Sequence, residues 1–333
     1  MYIMTVDNNK EVFNSLGAPS RASFVIRIKD ENQIPEVINF SESKSLPLIV
    51  LGGGTNIIPN RKIDAVVLYL EKKGIKINDE FLTIEAGEEW DDVVDFAVSN
   101  GLCGIESLSW IPGKAGSAPI QNIGAYGKEI SDVIEKVYVF NKYTKNFEVL
   151  DKRQCGFSYR NSIFKKYPNK YVVTKIEIKL NRMEPKIPEY KDVLDYFKNK
   201  NIEKPSLKEI REAIIEIRKG KLPDYNQTPN AGSYFTNPII DNNLLEKILP
   251  KYPNIPNYKL DDKTYKIPAG WLIDKLGLKG KWIGELQTFD KNALVLTNPN
   301  KVTADKILEA EEIIKEKVFK YFSIKLEREP ILI

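Results

Sequence analysis

The chain has 333 residues, 42% hydrophobic and 29% charged, with a formal charge of +4. This profile excludes a disordered chain, allows two or three domains with a substantial core, and argues against a nucleic-acid partner. The sequence has no histidine, which rules out Ser-His-Asp and Cys-His catalysis, His-ligated metal or haem, and a flavin tethered through histidine.

The two cysteines, Cys103 and Cys155, stand far apart and outside any CxxC pattern. They read as reduced thiols used in packing, and a disulfide scaffold is excluded. Residues 1–14 carry early acids and no apolar core, unlike a signal peptide. The longest apolar runs, such as 46–51, fall far short of the roughly 20 residues of a membrane helix. The expectation is a cytoplasmic monomer without a membrane or nucleic-acid partner and without a metal.

In chain order, the sequence predicts a short helix around 35–40 and a buried strand at 46–51 running into three glycines. A second apolar run stands at 65–70, and 81–86 alternates as a strand. Trp90, Val93, Val94 and Ala97 recur at helical spacing, with Gly101 as a stop. Residues 104–127 have no period and many glycines and prolines, the mark of a long functional loop. Residues 137–140 and 147–150 read as a hairpin, and 175–180 as an alternating strand. Ser206 and Glu209 form a capping box for a helix closed by Gly220. A last helix carries Ile307, Ala310, Ile314, Val318 and Tyr321 on one face, and a short strand follows Glu329. Strands and helices mix without βα regularity, which predicts an α+β fold.

Single motifs are weak. Gly52-Gly53-Gly54-Thr55-Asn56 lets backbone approach a phosphate, but the third glycine of GxGxxG would fall on Ile57, so an ordinary tight turn competes. A Walker loop at Gly113-Lys114 fails because Leu108 and Ala115 replace the required Gly and Ser/Thr. Ser162-Ile163-Phe164-Lys165 fits the SxxK of serine acyltransferases, but SDN and KTG are missing. Glu309, Glu311 and Glu312 read as a charge run on a solvated face, and Trp110 as a core aromatic ahead of the competing reading, a ring stacked on a ligand.

The collective signal is stronger. Ile111-Pro112-Gly113 leads to Gln121-Asn122-Ile123-Gly124-Ala125-Tyr126-Gly127. Tyr159-Arg160-Asn161-Ser162-Ile163-Phe164-Lys165 follows, then Lys221-Leu222-Pro223-Asp224 and Ala231-Gly232-Ser233-Tyr234-Phe235-Thr236-Asn237-Pro238. Ala269-Gly270-Trp271-Leu272-Ile273-Asp274, Ala293-Leu294-Val295-Leu296 and Leu326-Glu327-Arg328-Glu329 complete the series. In order and spacing, over nearly the whole chain, these resemble the UDP-N-acetylenolpyruvoylglucosamine reductases of peptidoglycan precursor synthesis, in their first subtype.

The resemblance implies non-covalent FAD, NADPH as reductant and an enolpyruvyl ether of UDP-N-acetylglucosamine as substrate. It implies a two-part FAD-binding region of the vanillyl-alcohol-oxidase type (1–70 with 324–333, then 71–221) and a separate α+β substrate-binding domain (222–323). Gly52, Gly53, Gly54, Thr55, Asn56, Pro112, Gly113, Ser117, Asn122 and Gly124 would hold FAD. Tyr190, Arg218, Lys221 and Asn237 would hold substrate, with Tyr190 on a mobile loop over the UDP part. Arg160 and Glu329 would stabilise an enolate, and Ser233 would protonate it. Glu329 would have to be protonated or hydrogen-bonded to help. Two other readings stay open: a different FAD oxidoreductase on the same fold, which would not need Ser233 and Glu329 together, or a flavin or nucleotide-sugar binder without turnover.

Overall fold

Leu48–Leu51 is apolar at every position, as a strand covered on both faces must be. It pairs in parallel with Lys62–Leu70, Leu48 opposite Val66. Arg21–Ile28 and Thr5–Glu11 extend the same four-stranded sheet. The helix Ile34–Ser43 opens with Pro at its first turn and turns Ile34, Val37 and Ile38 inward. These join Ile26, Val66 and Leu68 in one core.

The computed structural model describes residues 4–333; residues 1–3 of the expected first FAD-binding piece lie outside the described residues. The chain divides into two compact units. Among the described residues the first comprises 4–12, Arg21–Gly54 and Asp64–Arg218; the second comprises Phe13–Ser20, Thr55–Ile63 and Lys219–Ile333.

A second sheet of the first unit is antiparallel, in the order Asn146–Asp151, Ile134–Asn141, Tyr171–Lys179, Phe81–Glu85, Ile75–Asn78. The hairpin of the sequence reading is its edge, with Phe140 opposite Phe147. Trp90, Val93, Val94 and Ala97 of the helix Trp90–Ser99 pack on it with Ile84, Val137 and Ile176. Cys155 and Cys103 are buried free thiols. The helices Lys191–Asn199 and Leu207–Lys221 form a smaller core through Val193, Phe197, Ile210 and Ile214. The Ser206–Glu209 capping box is present, with the Glu209 carboxylate 2.7 Å from the Ser206 amide.

In the second unit Asn230–Ser233, Val295–Thr297, Leu286–Thr288 and Trp282–Ile283 form a four-stranded sheet. The helix Ala304–Phe322 supplies Ile307, Ala310, Ile314 and Val318 to the core. The expectation for Tyr321 is corrected: it is exposed and Phe322 is buried, because the inward stripe continues four residues beyond Val318.

The packing also departs from the expected division. Residues 324–333, expected with the first FAD-binding piece, belong to the second unit. Ile324 and Leu326 bury in its core. Ile331–Leu332 pairs in parallel with Ile57–Ile58, and the Asn60 amide donates to the Ile333 carbonyl at 2.7 Å. Residues 13–20 and 55–63 join the same unit. Among the described residues, no helix is long and apolar enough to cross a membrane, and no group of three metal-binding side chains occurs.

Candidate active site

Two remote loops meet in the first unit. A Cβ added at Gly52 would lie 2.9 Å from Ser117 Oγ and 3.5 Å from Lys114 Cβ, so only glycine lets the strand end approach the 114–117 turn this closely. The Ser117 hydroxyl donates to the Lys114 carbonyl at 2.7 Å, and Lys114 pairs with Glu89. The Gly113 carbonyl accepts from the Trp90 amide at 2.9 Å. Pro112 is exposed and Gly53 half-buried at the same end of the unit. Trp110 is half-buried, not a core aromatic; its amide donates to Asp91 Oδ1 at 2.5 Å.

The next loop is built around Asn122, which is fully buried with φ +48. Its amide nitrogen donates to Glu129 Oε2 at 2.6 Å and to the Ser158 carbonyl at 3.2 Å, and its oxygen accepts from the Ser131 amide at 3.0 Å. Asn122 therefore holds the loop together with its side-chain amide. Arg160 also has left-handed backbone, φ +53. Its guanidinium donates to the Gly124 carbonyl at 2.7 Å and to the Asn122 carbonyl at 3.4 Å, and stacks over Tyr159. A Cβ at Gly124 would lie 3.1 Å from Arg160 Nη1. Ser162 is buried; its hydroxyl donates to the Ile120 carbonyl at 2.6 Å and caps the helix Ile163–Lys166. That closes the acyltransferase reading, since the hydroxyl is committed to the fold.

Arg218 stands near Arg160, Asp91 and Tyr126. Its Nε is buried with no hydrogen-bond partner. Burial pushes its pKa down, and the Arg160 charge adds to this against Tyr126 and Asp91. Two guanidiniums close enough to repel, one with an orphaned donor, make a site that an anion would stabilise. Tyr126 packs edge-on to Tyr190, centroids 5.5 Å apart, and burial raises its pKa to about 12, with Asp192 adding. Tyr190 is exposed. Arg211, buried about two turns before Arg218 on the same helix, donates to both oxygens of Asp91, at 2.8 and 3.0 Å.

In the second unit the strand Asn230–Ser233 carries a bulge before Ser233, with Gly232 at φ +69. Bulges re-aim side chains. Asn230 Oδ1 accepts from the Gly232 amide at 2.8 Å and shapes this turn. Beyond Ser233, Phe235 bridges antiparallel to Arg328, and the Glu329 amide donates to the Tyr234 carbonyl at 2.8 Å. The segments bearing Ser233 and Glu329 are therefore backbone neighbours. Glu327 is exposed and Glu329 half-buried. Asn56 Nδ2 reaches the Glu329 carbonyl at 3.5 Å, and the Thr55 carbonyl accepts from Ser15 Oγ. Asn237 Oδ1 accepts from the Ala269 amide at 2.9 Å, at the start of the helix Ala269–Lys275. Lys221 is exposed in the last turn of its helix.

Sequence reasoning missed the inward Glu311, 1% exposed, whose expected solvated setting is corrected. The signal was present: Glu311 stands four residues after Ile307 and three before Ile314, inside the apolar stripe. It also missed Asp91 and Arg211, for which no local pattern exists.

An FAD binding domain family matches residues 22–144, so the chain carries the flavin-binding domain of an FAD oxidoreductase. The family described as UDP-N-acetylenolpyruvoylglucosamine reductase, C-terminal domain, matches residues 223–333. The chain is 36% identical over 324 residues to the UDP-N-acetylenolpyruvoylglucosamine reductase of Flavobacterium johnsoniae, covering 95% of this chain and 96% of that protein. It is 35% identical to the enzyme of that name from Pseudomonas aeruginosa, covering 96% of both. A crystal structure of the Thermus caldophilus reductase shares the fold, with a TM-score of 0.69, 22% identity and 99% coverage of both chains. The chain belongs to the UDP-N-acetylenolpyruvoylglucosamine reductase family. Its fold is α+β, a flavin-binding region plus a separate C-terminal domain. The loops fit FAD: the Gly52 cradle is one a side chain would fill.

Proposed function

We propose that the protein reduces the enolpyruvyl group of UDP-N-acetylglucosamine enolpyruvate to UDP-N-acetylmuramate, with NADPH as reductant, as a cytoplasmic monomer. The chemistry supplied by bound FAD is relay of a hydride from NADPH to the terminal vinyl carbon. The loop carrying Gly52, Gly53, Gly54, Thr55 and Asn56, with Pro112, Gly113, Ser117 and Gly124, would hold it by close backbone approach. Residues 1–70 with 324–333 and residues 71–221 keep their proposed flavin-binding role, and residues 222–323 the substrate-binding role.

Hydride addition leaves carbanion character beside the substrate carboxylate, and its charge spreads into an enolate. Arg160 supplies the fixed cation for that charge. Its guanidinium is held on the Gly124 carbonyl, so little reorganisation is needed as charge develops. Glu329 stabilises the enolate as a protonated or hydrogen-bonded carboxyl group. Ser233 delivers the proton to the carbanion carbon; a weak acid suffices because that carbon is strongly basic. Arg218, Lys221 and Asn237 bind the UDP part, with Arg218 offering its orphaned donor to phosphate oxygen. Tyr190 closes over the same part.

The observation that carries this reading is the antiparallel pairing that sets the Glu329 segment beside Tyr234, next to Ser233. Ser233→Ala tests it under anaerobic conditions. Bleaching of the flavin band by NADPH should survive, and recovery of the band on adding the enolpyruvyl substrate should collapse. Normal recovery would remove Ser233 as proton donor.

A further inference from the structure

The last helix turns an apolar stripe inward, and one charged side chain stands in it. Glu311 Oε2 accepts from the Tyr234 hydroxyl at 2.8 Å and from Arg328 Nη1 at 3.3 Å. Its other oxygen pairs with Lys315 Nζ at 3.0 Å. A buried carboxylate carries a large desolvation penalty, and an apolar residue of similar volume would fit the stripe at lower cost. What the carboxylate holds explains its presence. Tyr234 follows Ser233 directly, and Arg328 precedes Glu329 directly. Both segments hang on one carboxylate oxygen from the same helix. Burial keeps the Tyr234 hydroxyl far above its ordinary pKa, with Glu311 adding, so it remains a donor at any working pH. The bulge and left-handed Gly232 just before Ser233 weaken the regular ladder there, so a side-chain clamp has a job to do at that point.

We propose that Glu311 is a positioning residue for the reductase reaction, clamping through Tyr234 and Arg328 the two segments that carry Ser233 and Glu329. This rests on the roles given to those two residues above. Glu311 touches neither reacting atom and acts through its neighbours. Non-additivity is the signature of such action, since residues that work as a unit lose the same step only once.

The test uses the full-length, FAD-loaded protein and follows its two half-reactions separately without oxygen. Glu311→Gln keeps the size and an acceptor for Tyr234 but removes the charge facing Arg328. Tyr234→Phe removes one hydroxyl. Each should slow reoxidation by the enolpyruvyl substrate about tenfold or more while leaving reduction by NADPH within about twofold. Calorimetric affinity of the oxidised protein for that substrate should stay unchanged. Tyr234→Phe should add nothing further in a Ser233→Ala background. The exposed neighbour Glu312, changed to Gln, should alter neither half-reaction. The proposal is overturned if both half-reactions slow alike, if neither slows, or if Tyr234→Phe multiplies fully onto Ser233→Ala. If Glu311→Gln does not fold, Tyr234→Phe decides. If Ser233→Ala alone leaves reoxidation intact, the assignment of Ser233 fails and the clamp falls with it, a result independent of the Glu311 variants.

Discussion

Gly124 separates a positioned Arg160 from a merely nearby one. An alanine Cβ there would sit 2.8 Å from the Lys128 carbonyl, 3.0 Å from Glu129 Cγ and 3.1 Å from Arg160 Nη1. The Lys128 carbonyl belongs to the short ladder in which Gly124 faces Glu129 and Ala125 faces Lys128, so it can yield only by opening that ladder. Arg160 can yield by leaving the Gly124 carbonyl, where it now donates at 2.7 Å. A hydrogen bond from a charged donor contributes about 1.5–3 kcal/mol, and overpacking costs about 1–3 kcal/mol. If about 2 kcal/mol of the loss falls on the placement of the guanidinium, substrate-dependent reoxidation should drop roughly 30-fold. Stopped-flow measurement of the two half-reactions reads this directly. Reduction by NADPH should change far less. In an Arg160→Lys background the Gly124→Ala effect on reoxidation should largely vanish, because its target is gone. Wild-type reoxidation in Gly124→Ala, or an undiminished effect without Arg160, would refute the reasoning.

Three further outcomes are expected. Burial alone would raise the Asp91 pKa, but Arg211 and the Trp110 amide outweigh it and hold the carboxyl below its ordinary value. Its stabilisation is therefore present above the unfolded pKa of about 3.9 and lost as pH falls through the lower native value. Asp91→Asn should cost about 1.5–3 kcal/mol at pH 7, because Arg211 keeps only Asp95, at 3.1 Å, as a carboxylate partner, and urea midpoints should show the gap narrowing only below about pH 4; a pH-independent gap would contradict this. Burial, with Asp151 adding, pushes the Cys155 thiol up to about 12, so about one thiolate in ten thousand exists at pH 8. Neither Cys155 nor Cys103, also raised by burial, should react with a thiol reagent at pH 8 until urea is added, and fast native labelling would sink that expectation. An added Cβ at Gly220, in the last turn of the helix Leu207–Lys221, meets nothing within 4 Å. Gly220→Ala should therefore stabilise by about 0.5–1 kcal/mol, read as a higher unfolding midpoint; a lower midpoint would show a constraint the glycine serves.

Elements with strong periodicity were legible in the sequence. Trp90, Val93, Val94 and Ala97 announce their helix, and Phe140 and Phe147 their hairpin, because burial repeats at the period of the element. Pairings between distant segments were not. Nothing local in residues 55–63 says that Ile57 and Ile58 will take Ile331 and Leu332 as a parallel partner. Two-residue strands lack a period, so this pairing leaves no mark in the sequence pattern. Glu311 failed for a different reason: a charge normally marks the solvated face, and of its partners only Lys315 is local, while Arg328 and Tyr234 lie 17 and 77 residues away in the chain. The site blocks were legible only as a set. Their chemistry lies in backbone conformation and packing, and composition does not encode either.

Backbone strain gives independent support to those blocks. Eleven described non-glycine residues have left-handed backbone. Asn9, within the strand Thr5–Glu11, and Ser45, Asp79, Lys145, Asn201, Lys301 and Ser323, in turns or beside helix ends, are all exposed, where water can serve the backbone. Trp110, Asn122, Tyr126 and Arg160 are all buried or half-buried, and all fall in the first unit's two loop blocks. Each costs about 1–2 kcal/mol relative to ordinary backbone, and each is held by a named contact. Asp91 takes the Trp110 amide, Glu129 and Ser131 hold Asn122, the Tyr190 ring covers Tyr126, and the Gly124 carbonyl holds Arg160. Strain of this size would be lost to relaxation unless the surrounding contacts over-determined it. That the buried and half-buried cases fall only in two short blocks means that these contacts serve placement of side chains, and Asp91→Asn should therefore disturb the Trp110 loop as well as stability. Tryptophan fluorescence of Asp91→Asn should shift from that of the wild type while the protein is still folded. An unchanged native spectrum would confine Asp91 to its ion pair with Arg211.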